Sequence, residues 1–241
     1  MALRVLFLGG TGIISSACAA LAVERGLDLT VLNRGGTSAK RPLPGGVRTL
    51  TADAVAADLL SLAGPGRFAY YGYSWLALAG LQLALRTDRL TALAMGGYPP
   101  LGGPYEAMLA VTRTAHRMAL DPPPPPSGEV VPGDWDSVAF TQTPDQTRQF
   151  VTLYESLQGF DERAVHLDIP RLAFAGEDDN IRYGPAWDDA YVALAEPLRQ
   201  HGDELAARGW QVRTIPQADH LVAMQAAAVL PILVPWLRSS L

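Results

Sequence analysis

Seven short runs rich in apolar residues punctuate the chain, at residues 4–8, 29–32, 47–50, 68–71, 90–95, 171–175 and 211–215. Most are apolar at successive rather than alternate positions, and Gly, Pro, Asp or Asn closes them. A strand covered by helices on both faces carries such a pattern, because neither face meets water. Ala- and Leu-rich stretches with helical spacing lie between the runs. The prediction is an α/β fold with a three-layer, doubly wound, mostly parallel sheet. The rhythm breaks once, between Met95 and Arg171. There, residues 105–119 and 144–157 have helical spacing, while the five prolines at 122–126 must be extended. An insertion of this size between two sheet strands reads as a helical cap over residues 98–167, with 121–133 its least structured part.

A chain of 241 residues, 49% hydrophobic and 18% charged, can bury a sizeable core. One domain over residues 1–241 is expected, as is common for α/β proteins of this length. The net charge of -5 leaves no basic footprint for a phosphate backbone, so nucleic acid is not an expected partner. Gly9, Gly10 and Gly12 interrupt the first apolar run before it reaches the ~7 to 15 residues of a signal peptide. Gln225, Pro231 and Pro235 break the apolar stretch at 221–237, short of the ~18 uninterrupted residues of a membrane span. The expectation is a cytoplasmic protein without a membrane partner. Cys18 is the sole cysteine, which excludes an intrachain disulfide and a multi-cysteine metal site, and no metal is expected.

The run at 68–71 leads directly into Gly72-Tyr73-Ser74-Trp75, and a helix over 76–85 follows. Strand, sharp turn with a serine, then helix is the context of an exposed nucleophile: Gly72 gives room in the crowded turn, and Ser74 sits at the positive end of a helix. A serine hydroxyl needs a base to take its proton and an acid to orient that base. Of the four histidines, His116 lies in the cap, His166 before the run at 171, and His201 in a polar helix. His220 follows the run at 211–215 across a short loop and opens the terminal helix, which places it at the carboxyl end of a strand, where ligands bind in open α/β sheets. The run at 171–175 ends in Gly176-Glu177-Asp178-Asp179-Asn180, where Asp179, three residues beyond Gly176, is the candidate acid and Asp178 its alternate. A solvated acidic turn capping the next helix is the alternative.

From about residue 66 onward the chain resembles the α/β-hydrolase superfamily, on Gly-Tyr-Ser-Trp as the elbow, Gly-Glu-Asp-Asp after a late strand and Ala-Asp-His-Leu near the end. The resemblance covers 66–97 and 168–241, and implies a Ser74, Asp179, His220 triad with the Trp75 N–H as one oxyanion donor. It implies a serine hydrolase of an ester or related small-molecule acyl substrate, without a cofactor. Leu76 stands where the elbow usually carries a second Gly. Tyr98, Pro99, Trp135 and Tyr154 are candidates to line an acyl pocket.

Residues 1–62 resemble a different family, the NAD(P)-binding extended short-chain dehydrogenases and epimerases. The resemblance rests on Gly9-Gly10-Thr11-Gly12 after the first run, an Ala-rich helix, and Asn33-Arg34 after the second. It implies a Rossmann-like first half that binds NADP through Gly9, Gly12, Arg34 and Asp53. That family's reductive chemistry needs a Tyr and a Lys four residues later, and the only lysine, Lys40, has no such partner. The alternative reading is therefore an NADP-binding module without reductase activity, or a fused or engineered chimera that catalyses weakly. In a doubly wound sheet the first strand should lie beside the strand at 68–71, so that Gly10 or Thr11 could supply the second oxyanion N–H.

Overall fold

The computed structural model describes residues 4–8, 15–33, 48–51, 59–61 and 63–240. Every expected strand is present. β1 (Arg4–Leu8), β2 (Asp28–Asn33) and β3 (Arg48–Thr51) form a parallel sheet in that order, with helix α1 (Ser15–Glu24) between the first two strands. β4 (Phe68–Tyr73), β5 (Leu90–Gly96), β6 (Arg171–Gly176) and β9 (Trp210–Ile215) form a second parallel sheet, also in that order. Among the described residues no ladder of hydrogen bonds joins β1 to β4, although the sequence places them side by side. Each heads its own sheet. One element escaped the sequence reading: an antiparallel hairpin of β7 (Asn180–Arg182) and β8 (Tyr191–Ala193). Its strands are three residues each, too short to show a period.

Alternation along the central strands decides which layer packs where. Ala92 and Ala94 of β5, with Leu172 and Phe174 of β6, turn to one face. Helix α7 (Ala226–Ser240), which follows the short helices α5 (Ala195–Gln200) and α6 (Gly202–Ala207) in the chain, covers them with Val229, Leu233, Trp236 and Leu237. The small alanines let this helix come close. Leu93, Met95, Ala173 and Ala175 turn to the opposite face, where helix α2 (Trp75–Ala84) contributes Ala77, Leu78 and Leu81. Burial of each large side chain is worth about 1.5 to 3 kcal/mol, so these two faces dominate the stability of the unit. α7 also packs Ala226, Leu230 and Val234 against Ala19, Ala22 and Leu29, which ties α1 and β2 to the second sheet through a shared helix.

That terminal helix differs from the expectation in where it starts. It begins at Ala226 and not at His220, which instead opens a short 3-10 turn, His220–Met224. It also runs through Pro231 and Pro235. Both prolines are exposed, so the backbone bonds they remove lie on the solvent side. No helix among the described residues is long and apolar enough to cross a membrane.

The insertion after β5 holds two long helices that pack on each other, α3 (Tyr105–Leu120) and α4 (Pro144–Ser156). α4 starts on a capping box: Thr143 Oγ1 accepts from the Gln146 N–H at 3.4 Å, and Gln146 Oε1 accepts from the Thr143 N–H at 3.0 Å. Pro144 occupies the first helical position, where its missing N–H costs nothing. The five prolines lie in an exposed, non-helical stretch between the two helices.

Candidate active site

The turn from β4 into α2 is unlike an ordinary strand-helix junction. Ser74 has φ 57° and ψ -132°, a region that residues with a Cβ avoid. Two bonds hold it there. The Ser74 N–H extends the sheet ladder to the Gly96 carbonyl at 2.8 Å, and the Ser74 carbonyl accepts from the Ala77 N–H at 2.8 Å, starting the helix. Such backbone strain costs about 1 to 3 kcal/mol and persists only where its surroundings over-determine it. Gly72 is required by this geometry, since a Cβ there would lie 2.2 Å from the Leu76 carbonyl oxygen. Leu76 itself sits half-buried in the first turn of α2, and its carbonyl accepts from the Tyr70 hydroxyl at 2.9 Å. The first N–H groups of a helix have no intrahelical partner, so the Trp75 N–H is available beside Ser74.

The acidic segment after β6 turns one carboxylate in and leaves another out. Asp178 is exposed, while Asp179 is fully buried. Asp179 Oδ1 meets His220 Nδ1 at 2.6 Å, and its Oδ2 accepts from the Tyr73 hydroxyl at 3.0 Å. Backbone bonds stitch the two loops together: the Glu177 N–H reaches the Ile215 carbonyl at 2.8 Å, and the Asp178 N–H the Ala218 carbonyl at 2.9 Å. The approach leaves no space for a side chain, because a Cβ on Gly176 would lie 2.1 Å from the Ala218 carbonyl oxygen. The Asp219 carboxylate caps the turn that carries His220 by accepting from the Leu221 N–H at 2.8 Å. The His220 side chain is 18% exposed.

The structure therefore brings Asp179 and His220 into direct contact. Ser74 is joined to the pair through its chain neighbour, since the Tyr73 ring centroid is 5.2 Å from that of His220. Among the described residues no hydrogen bond links the Ser74 hydroxyl to His220. The other histidines stand elsewhere: His116 meets Thr147 Oγ1 at 2.9 Å between the cap helices, His201 lies 3.7 Å from Glu204, and His166 is exposed. Gly10 and Thr11, named as oxyanion donors, and Gly9, Gly12, Arg34 and Asp53, named for NADP, fall outside the described residues.

Tyr73 is the residue that sequence reasoning passed over. It was legible only as part of the elbow, and its role depends on where β4 ends relative to the acidic loop. Burial, and then the Asp179 carboxylate, push its hydroxyl pKa up, so it stays protonated and donates. The cap reaches the site through Phe150 of α4, whose ring packs edge-on against Trp75 at 5.1 Å. Of the aromatics expected to line a pocket, Tyr98 and Tyr154 are packed into the core, and Trp135 stacks on Tyr183 at 5.5 Å. A cleft of about 370 Å³ bordered by Glu162, His166, Arg171, Arg208 and Trp210 lies toward the starts of β6 and β9 and includes none of the candidate residues. Among the described residues no cluster of His, Cys, Asp or Glu is arranged to hold a metal ion.

Parallel strands flanked by helices, with the candidate residues at strand ends, define an α/β protein whose fold is similar to those of solved structures. The structure of NosK from Streptomyces actuosus matches with a TM-score of 0.53 at 16% identity, over 99% of this chain and 98% of that one. An N-acyl homoserine lactonase, AidH, in complex with N-hexanoyl homoserine, matches with a TM-score of 0.51 at 15% identity, over 99% of this chain and 89% of that one. At these identities the likeness is one of fold. No family model matches the sequence, and no curated protein does.

Proposed function

We propose that the chain is a serine hydrolase of esters or related acyl compounds, with Ser74 as nucleophile, His220 as base and Asp179 as the orienting acid. The observation that carries this reading is the buried Asp179–His220 bond of 2.6 Å at the same edge of the sheet as a serine held at positive φ at the end of β4. A carboxylate on Nδ1 leaves the second ring nitrogen free to take a proton, which is the arrangement a serine nucleophile requires. Catalytic hydrogen bonds often close only when substrate binds, so the open step from His220 to Ser74 is compatible with the mechanism.

In the proposed reaction Ser74 Oγ attacks the acyl carbon as His220 accepts its proton. The Trp75 N–H at the start of α2 stabilises the oxyanion, and His220 returns the proton to the leaving oxygen. Water then repeats the sequence on the acyl-enzyme. The lactonase AidH is compatible with acyl chemistry on this fold, and its complex with N-hexanoyl homoserine points to short acyl chains as first substrates. The test is turnover of short-chain p-nitrophenyl esters by the wild type, Ser74→Ala and His220→Ala. Turnover that falls about 10³-fold or more in both variants supports the assignment. Turnover that is unchanged in Ser74→Ala removes it.

A further inference from the structure

We infer that Tyr73 is a positioning residue, whose hydroxyl locks the Asp179 carboxylate and sets the proton affinity of His220. The inference rests on the functional reading above for its consequence in turnover, and on geometry alone for its effect on the imidazole.

Asp179 is fully buried, and its two carboxylate oxygens are divided between two donors. Oδ1 takes the His220 Nδ1–H at 2.6 Å, and Oδ2 takes the Tyr73 O–H at 3.0 Å. The Tyr73 hydroxyl also lies 3.3 Å from the His220 carbonyl oxygen. One phenol therefore meets the carboxylate of the acid and the backbone of the residue that carries the imidazole. Its own place is enforced by the sheet. A Cβ on Gly96 would come within 2.6 Å of the Tyr73 ring, and one on Gly97 within 2.4 Å. These two glycines at the end of β5 form the slot in which the ring lies, and Phe174 of β6 flanks it with centroids 6.3 Å apart. Because Tyr73 precedes Ser74, one strand end sets the strained turn and also reaches across two strands to the acid.

The chemical consequence follows from charge. A hydrogen bond donated to Oδ2 stabilises the carboxylate and draws off part of the charge that Oδ1 presents to the imidazole. Without it, the carboxylate holds the His220 imidazolium more strongly, and the imidazole titrates at higher pH. A stronger phenol donor has the opposite effect. The other ionisable groups around the pair are Asp219 and the exposed Asp178 and Glu177 on the two loops, and Tyr71 on β4, none of which these substitutions alter.

The experiment is a proton NMR titration of the histidine ring protons, with His220 assigned among the four histidines by comparison with His220→Gln. Three proteins are compared: the wild type, Tyr73→Phe, and a protein with 3-fluorotyrosine at position 73, which keeps the ring and strengthens the donor. The His220 midpoint is expected to rise in Tyr73→Phe by at least about 0.3 units, a twofold change in proton affinity, and to fall in the fluorinated protein. Should Tyr73→Phe fail to fold, the fluorinated protein alone decides the sign. Midpoints that stay within 0.3 units of wild type, or move in the opposite directions, overturn the inference. This readout does not require turnover. If Ser74-dependent hydrolysis is absent, the functional reading fails and the titration still judges Tyr73. If it is present, kcat in Tyr73→Phe is expected to fall about tenfold with KM unchanged, the effect of losing one hydrogen bond to a charged group.

Discussion

Replacing Asp179 by Asn changes one oxygen of a buried carboxylate into an amide nitrogen and leaves its shape intact. Both oxygens of Asp179 accept, from His220 Nδ1 at 2.6 Å and from the Tyr73 hydroxyl at 3.0 Å, so an amide cannot reproduce both bonds in the same sense. If the NH₂ faces His220, Nδ1 must become an acceptor. The ring proton then moves to Nε2, the nitrogen proposed to receive the Ser74 proton, and the base is blocked. If the NH₂ faces Tyr73, the phenol must turn its hydroxyl round, and His220 loses the charge that stabilises its imidazolium. Either way the base is disabled while the fold keeps its packing. Where a triad acid becomes an amide, kcat falls about 10⁴-fold, or roughly 5.4 kcal/mol of transition-state stabilisation. The assay is kcat on a short-chain p-nitrophenyl ester at pH 7.5, with circular dichroism to establish folding. A folded Asp179→Asn protein that loses less than tenfold in kcat would refute the role given to this carboxylate.

Three further outcomes follow from the same geometry. Gly176→Ala places a Cβ against the Ala218 carbonyl and must push the His220 loop away; a loss of about 1 to 3 kcal/mol, or roughly 2 to 10 °C in Tm by calorimetry, is expected, together with reduced kcat, and unchanged values of both would contradict the contact. Leu76→Gly restores the second elbow glycine but weakens the first turn of α2; stability to urea should fall by about 1 kcal/mol and turnover should not rise, and a gain in kcat would show that Leu76 obstructs the site. Burial pushes the Tyr183 pKa up to about 12 and those of Tyr70, Tyr73, Tyr98, Tyr105 and Tyr154 higher still, so the folded state holds these protons where the unfolded chain releases them near pH 10. Stability owed to these six groups is then complete below about pH 10 and falls as pH rises through about 12, with most of the tyrosinate absorbance at 295 nm appearing together with unfolding; ionisation of these six in the folded protein would contradict the burial.

Much of the fold was legible because it is written in burial. Runs such as Leu90–Gly96 and Arg171–Gly176 are apolar on both faces, and the structure covers both. The elbow was legible for a local reason, since Gly72 and Ser74 lie between a strand and a helix and the positive φ belongs to that turn. Choosing between Asp178 and Asp179 was not a local matter. Two adjacent carboxylates look alike in sequence, and the bonds of Glu177 and Asp178 to the loop before His220 decide which of them turns inward. The start of the terminal helix was misplaced for a related reason: Asp219 caps a 3-10 turn that ends before Ala226, and a helical pattern continues across both pieces. Tyr73 was invisible as a partner because its acceptor lies 106 positions away. The register of β4, β5 and β6, and the room left by Gly96 and Gly97, bring the two together.

The most direct measurement is reaction with a fluorophosphonate followed by peptide mass spectrometry. A single covalent adduct is expected, on Ser74, absent from Ser74→Ala and formed far more slowly by His220→Ala. Folded protein that stays unmodified, or an adduct that persists in Ser74→Ala, contradicts the assignment of Ser74 as nucleophile.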